Sequence, residues 1–483
     1  MSGTITINST DLANAIKPQL LQMPEISIQP YSYIIFTDGT NYYAKNGKTG
    51  QIDFSGTDAS TVIQNAINSL AEGGGKIYIK AGVYRCKSQI DLTKARSIVI
   101  EGEGYSTFPP TWPRYGTILY KDFDGVLINA EYPSGEGMYH SPFLRNLVIV
   151  GKNTGYYQGY TTGPAISVSN AYNFAFENVQ VYRVETGIKF RNVGMHRLMN
   201  VTVNETMLHG FDMYNVADGL WNNVESCDNN QQPGYSAFNL DTCWLMINNI
   251  HAEGYRAISI LNNGFVYLSN VFVPWARERA VYITATTFIV NGLFYGANVH
   301  GEFTGDQAAT IYIDSAGTVI ITNSYIDLYT SKSNYSIKTN TSGFAAVTHL
   351  VNSWFNKPVV LLNDCKVVNC HFENSFTAYN NTLLLGNRFS KSATIASGRA
   401  ENNIGFNTVN SGRSVFSGDG ATMQFAIAHG LPGTPSKVLV TPGSSNAIGT
   451  FYVTADATNI YVNYSTAPPA GTNNIVLYWY AEV

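Results

Sequence analysis

The chain has 483 residues, with 29 Lys+Arg against 33 Asp+Glu, so it lacks the basic footprint that neutralises a run of phosphates and nucleic acid is not an expected partner. Only 13% of it is charged while Gly, Tyr, Asn, Thr and Ser abound, a balance that belongs to strands and tight turns rather than helices. No stretch reaches the ~20 apolar residues of a membrane-spanning helix, so no membrane partner is expected either.

Residues 1–50 read as an N-terminal segment. Its start, Met-Ser-Gly-Thr-Ile-Thr-Ile-Asn-Ser-Thr, lacks the basic head and apolar run of a signal peptide. An extracellular or virion-associated protein with this start would be released by lysis or have lost a leader. Thr10 to Met23 is a helix candidate interrupted by Pro18. A hairpin follows, Tyr31–Phe36 and Tyr42–Ala44, turned at Asp38-Gly39. From Asp58 to Leu70 the spacing of Val62, Ile63, Ala66, Ile67 and Leu70 predicts an amphipathic helix, with Asp58 or Ser60 as N-cap and Gly73-Gly74-Gly75 as its stop. Period-2 alternation resumes at Lys76–Lys80.

A repeat then takes over, in which a short apolar strand ends in Asn and an Asn-apolar-x-apolar segment follows. It recurs at Asn146, Asn178, Asn200, Asn223, Asn249, Asn270, Asn291 and Asn323, with looser echoes at Asn352, Asn369 and Asn387. Steps from Asn178 to Asn291 are 22, 23, 26, 21 and 21 residues, one turn of a solenoid made of three short strands. Asn tolerates the left-handed backbone of a sharp corner, and its amide can bond to the same amide one turn above and below. The expected fold is therefore all-β: a three-sided parallel β-helix over 51–410, capped by the helix 58–70.

The stretch Ile52 to Ile67, continuing through Gly73-Gly-Gly-Lys-Ile-Tyr-Ile-Lys-Ala-Gly-Val-Tyr84, resembles the opening of the pectate-lyase-like right-handed parallel β-helix superfamily. In that superfamily a helix caps the solenoid and a Gly-Gly strand forms the first rung. The resemblance spans roughly residues 30 to 410, and its members include polygalacturonases, polysaccharide lyases, phage tailspikes and non-catalytic adhesins. It thus implies a fold far more firmly than a reaction. The usual acidic entry motif is degenerate here, as Gly50-Gln-Ile-Asp-Phe-Ser-Gly-Thr-Asp58, which argues against those acids as a site. Residues 411–483 form five short strands between Gly/Pro turns. They resemble the small β-sandwich modules at the ends of phage-tail and β-helix proteins, which serve oligomerisation or glycan binding.

Strand alternation lets the outer face be read. With the ladder Asn at position zero, positions +1 and +3 point inward and +2 and +4 outward. The outward columns and the strand ends bring Glu205, Glu225, Asp228 and Glu253 onto three successive rungs, with Asn204 and His251 among them and Tyr182, Arg183 and Trp275 at the flanks. Rungs stack ~4.8 Å apart, so carboxylates here should raise at least one pKa, as a general acid requires. Glycoside hydrolysis uses a carboxyl pair ~5 Å apart for retention or ~6.5–9.5 Å for inversion. Two long steps of 32 residues, carrying inserts at 151–160 and 296–302, would wall a cleft over this floor, with Tyr157 and Tyr160 holding sugar rings. An outward solenoid face is also solvated, and acids serve solubility there as well as chemistry. Trp221 and Trp244 are read as packing, and Arg277-Glu278-Arg279 as a charged turn.

The residues thus point to an endo-acting polysaccharide glycoside hydrolase, with Glu225 and Glu253 central and Asp228 and Glu205 assisting. The polygalacturonase motifs are absent, so pectin is not implied. A calcium-dependent lyase with Arg183 as base is the first alternative, and a non-catalytic glycan-binding fibre the second. Homotrimerisation is an expectation that goes with the tailspike resemblance. No metal site and no cofactor are read from the sequence, calcium entering only with the lyase. The five cysteines form no CxxC pair and are read as core fillers.

Overall fold

A computed structural model describes residues 29–70, 73–94, 96–104, 116–135, 141–152, 159–227, 233–284, 309–314, 317–326, 334–340 and 347–483, together with the backbone of 287–291. The helix candidate Thr10–Met23, Tyr157, Asp228 and the insert 296–302 lie outside these residues.

Tyr33–Thr37 pairs antiparallel with Tyr42–Asn46 and parallel with Gly75–Ile79, so the predicted hairpin opens the stack. The predicted helix runs Ala59–Leu70 and buries Val62, Ile63, Ala66 and Ile67. Asp58 caps it, accepting from the backbone N–H of Ser60 (3.2 Å) and the hydroxyl of Thr61 (2.7 Å). The apolar face of this helix closes one end of the core, which would otherwise meet water.

Beyond it the pairing is parallel from rung to rung, with register shifts at Val216/Gly219, His251/Glu253 and Gly254/Arg256. Phe143–Gly151, Ala175–Tyr182, Arg197–Asn204, Phe211–Ser226, Ser236–Leu261 and Phe265–Ile283 follow one another up the stack. The chain is a right-handed parallel β-helix. Its corners are the asparagines. Asn146, Asn178, Asn200, Asn223, Asn249 and Asn270 all have φ between 53° and 56°. Each amide donates to the one before it, at 2.9, 2.9, 3.0, 2.8 and 2.9 Å in order. A second, unpredicted ladder runs Asn170–Asn192–Asn215. At the last echo the corner falls one residue before the expected Asn387: Gly386 (φ 63°) turns it, while Asn387 is buried and accepts from the N–H of Cys370. Inside, aromatic rings stack along the axis, as Phe211 on Phe238 and Phe355 on Phe372 on Phe389.

From Val409 the chain forms six strands rather than the expected five, Val409–Gly418 being the addition, in two three-stranded antiparallel sheets, Val409–Gly418/Gly471–Glu482/Lys437–Pro442 and Gln424–Ala428/Asn459–Tyr464/Phe451–Ala455. They enclose a separate core containing Phe425, Ile427, Ile460, Val462 and Leu477.

Two further expectations change. Trp221 is packed, 2% exposed with its indole N–H donated to His196, but Trp244 is 43% exposed on the outer face. Arg277–Arg279 is no turn: it lies within the strand Phe265–Ile283. There Glu278 is buried between Arg256 and Arg279, whose guanidinium lies over the ring of Tyr312.

Candidate active site

Glu225, His251 and Phe272 are the outward +2 residues of three consecutive rungs, aligned by backbone register. They line a groove of about 600 Å³ whose other walls include Gln180, Thr202 and the ladder asparagines Asn200, Asn223, Asn249 and Asn270. It extends over five rungs, roughly 19 Å at the strand spacing.

His251 is the centre of the site. Its Nδ1 stands 3.7 Å from Oε2 of Glu225, and its Nε2 3.1 Å from Oε1 of Glu253. Burial works against the imidazolium, but the two carboxylates outweigh it and raise the group to about 9. The same contact lowers Glu225: His251 favours its charged form, burial opposes, and Asn204 adds to the lowering. The sequence leads one to expect that crowding raises at least one of these carboxyls; at Glu225 the direction is the reverse, because an imidazole stands beside it.

Asn204 works as a clamp. Its Nδ2 donates to Oε1 of Glu225 (3.2 Å), and its Oδ1 accepts from the backbone N–H of Cys227 (2.8 Å). The Cys227 sulfur, Glu225 carboxylate and His251 imidazole converge within 4.8 Å. The sequence signal for this triad was the rung period itself: Glu225 and Cys227 stand at +2 and +4 from Asn223, and the 26-residue step to Asn249 sets His251 opposite Glu225 on the next rung. Phe272, 39% exposed, tilts against the His251 ring with centroids 5.1 Å apart. It stood in the outward column without being singled out.

Other predicted residues fall elsewhere. Arg183 and Glu205 form an ion pair at 2.8 Å, each at a left-handed corner (φ 57° and 56°), so neither is free for the floor of the groove. Tyr182 is 6% exposed, packed with Ile118, Tyr120, Val148 and Val150 in an outer apolar cluster, and Tyr160 is 7% exposed. Neither can serve as a sugar platform. Trp275 is half-buried and pairs with Glu253 across a one-residue register shift that follows His251.

No family model and no curated protein matches the chain. Among solved structures it is similar to the tailspike gp61 of Pseudomonas phage phi297, at 12% identity over 88% of this chain and 92% of that one, with a TM-score of 0.46. It is similar to tailspike protein 3 of bacteriophage CBA120, at 12% identity over 83% and 70%, TM-score 0.47. It is also similar to an endo-xylogalacturonan hydrolase from Aspergillus tubingensis, at 11% identity over 72% and 94%, TM-score 0.37.

Proposed function

We propose that this chain is an endo-acting glycoside hydrolase that cleaves a polysaccharide lying in the groove over Glu225, His251 and Glu253. The observation that carries the reading is the placement of two carboxylates on either side of one imidazole, with Glu225 and His251 lining an open groove and Glu253 behind the ring. Glycosidic cleavage needs a group that donates a proton to the leaving oxygen, and a carboxylate that activates water or stabilises the sugar cation. Glu225, held by Asn204, suits the second task; the hydrogen-bonded pair His251–Glu253 suits the first. A groove open across five rungs accommodates the interior of a chain as well as its end. Phe272 offers a ring face or edge to a sugar.

The lyase alternative finds less support. Its candidate base, Arg183, donates to Glu205. Calcium takes 6–8 oxygen ligands, whereas among the described residues this floor mixes sulfur, nitrogen and oxygen, so the donor set does not fit calcium.

The test is a panel of neutral and acidic polysaccharides followed for new reducing ends and for the ultraviolet absorbance of an unsaturated uronate. Reducing ends without that absorbance support hydrolysis. The absorbance would move the assignment to a lyase, and silence on all substrates to a binding fibre.

A further inference from the structure

We propose that Glu225, Cys227 and His251 form a binding site for a borderline divalent cation of the zinc type. The assignment stands on donor geometry and does not need the cleavage reading. The three donor groups lie within 4.8 Å of one another. Oε2 of Glu225 and Nδ1 of His251 are 3.7 Å apart, too long for a hydrogen bond. Two ligands each ~2.1 Å from one tetrahedral ion stand about 3.4 Å apart, so this pair needs to close only slightly.

The surroundings have the form that metal sites use. The far nitrogen of His251, Nε2, is hydrogen-bonded to Glu253 at 3.1 Å, while Nδ1 faces Glu225. A carboxylate behind a histidine in this way orients the ring and strengthens it as a ligand. Asn204 ties up Oε1 of Glu225 and the backbone of Cys227, leaving Oε2 on the side facing His251. Thiolate, imidazole and carboxylate together select zinc-like ions over calcium or magnesium. Three protein ligands leave a fourth position for water or a sugar hydroxyl. An ion bound here would take both Glu225 and His251 from proton-transfer work, so loading would suppress cleavage by the apo groove.

The experiment uses the full chain, treated with chelator and then titrated with Cd²⁺ and Co²⁺. One equivalent of Cd²⁺ should produce the ultraviolet thiolate charge-transfer band, and Co²⁺ the visible bands of a tetrahedral site. Cys227→Ser should abolish the Cd²⁺ band. Glu253→Gln, which keeps the side-chain volume, should weaken affinity tenfold to a hundredfold. Circular dichroism of each variant reports whether the solenoid is intact. A wild type without the band, or an intact Cys227→Ser that retains it, overturns the proposal. Because the readout needs no substrate, failure of the hydrolase reading leaves this result untouched.

Discussion

Nε2 of His251 lies 3.1 Å from Oε1 of Glu253, two residues further along the same strand, while its Nδ1 faces Glu225 on the rung before. Positions +2 and +4 share the outward face, so the imidazole is gripped along the strand and across it at once. Replacing Glu253 with Gln keeps an acceptor for the ring but removes the charge. Glycan cleavage by Glu253→Gln should fall at least about a hundredfold, with thermal stability near wild type. Rates of product release from the same polysaccharide check this.

Phe272 should act through binding. The ring is exposed and makes no ion pair or hydrogen bond, so Phe272→Ala is expected to raise KM by up to about tenfold and leave kcat largely unchanged. A fall in kcat alone would instead mean that the ring positions His251 through their 5.1 Å contact.

Glu205 should prove structural. It neutralises Arg183 at 2.8 Å, so Glu205→Gln leaves a half-buried guanidinium without its charge partner. The expected cost is about 1–3 kcal/mol, seen in denaturant unfolding, with cleavage close to wild type.

The solenoid was legible because its corners demand a residue that tolerates positive φ, and Asn does so at a regular period. The capping helix was legible because its apolar spacing is 3.6. The +2 column was legible for the same reason of alternation, and it delivered Glu225 and His251 as neighbours. Positions at the far end of the strand were not. Arg183 and Glu205 sit at left-handed corners, where alternation ends and the outward direction of a side chain no longer follows from counting. Tyr182 has the outward position it was given, but a second apolar layer packs against it on the lower rungs. Asp228 and Tyr157 lie outside the described residues.

The asparagine ladder can be dissected at Asn223, which has φ 55° and amide bonds to Asn200 and Asn249. Asn223→Gly keeps the corner and loses the amide, at an expected cost of about 1–2 kcal/mol. Asn223→Ala loses both and should cost roughly 1–2 kcal/mol more. Equal melting temperatures for the two variants would show that the backbone at this corner is not strained for a side chain.

His196 provides a pH prediction away from the groove. Burial depresses it to about 3 from 6.5, partly offset by a backbone contact with Ala217, and its Nε2 accepts from Trp221. The folded state therefore holds the neutral ring, while the unfolded chain protonates below pH 6.5. Its contribution is present above that value and is lost as pH falls toward 3, at up to about 1.4 kcal/mol per unit. In His196→Gln the slope of stability against pH over this range should be shallower by one proton.

The most direct test of the central claim is reducing-end release from a polysaccharide panel by wild type and Glu225→Gln side by side, both freed of metal. The account predicts new reducing ends with wild type, no unsaturated product, and loss of at least about a hundredfold in the variant. Equal release by a correctly folded Glu225→Gln would contradict it, because the groove would then not be where the bond is broken.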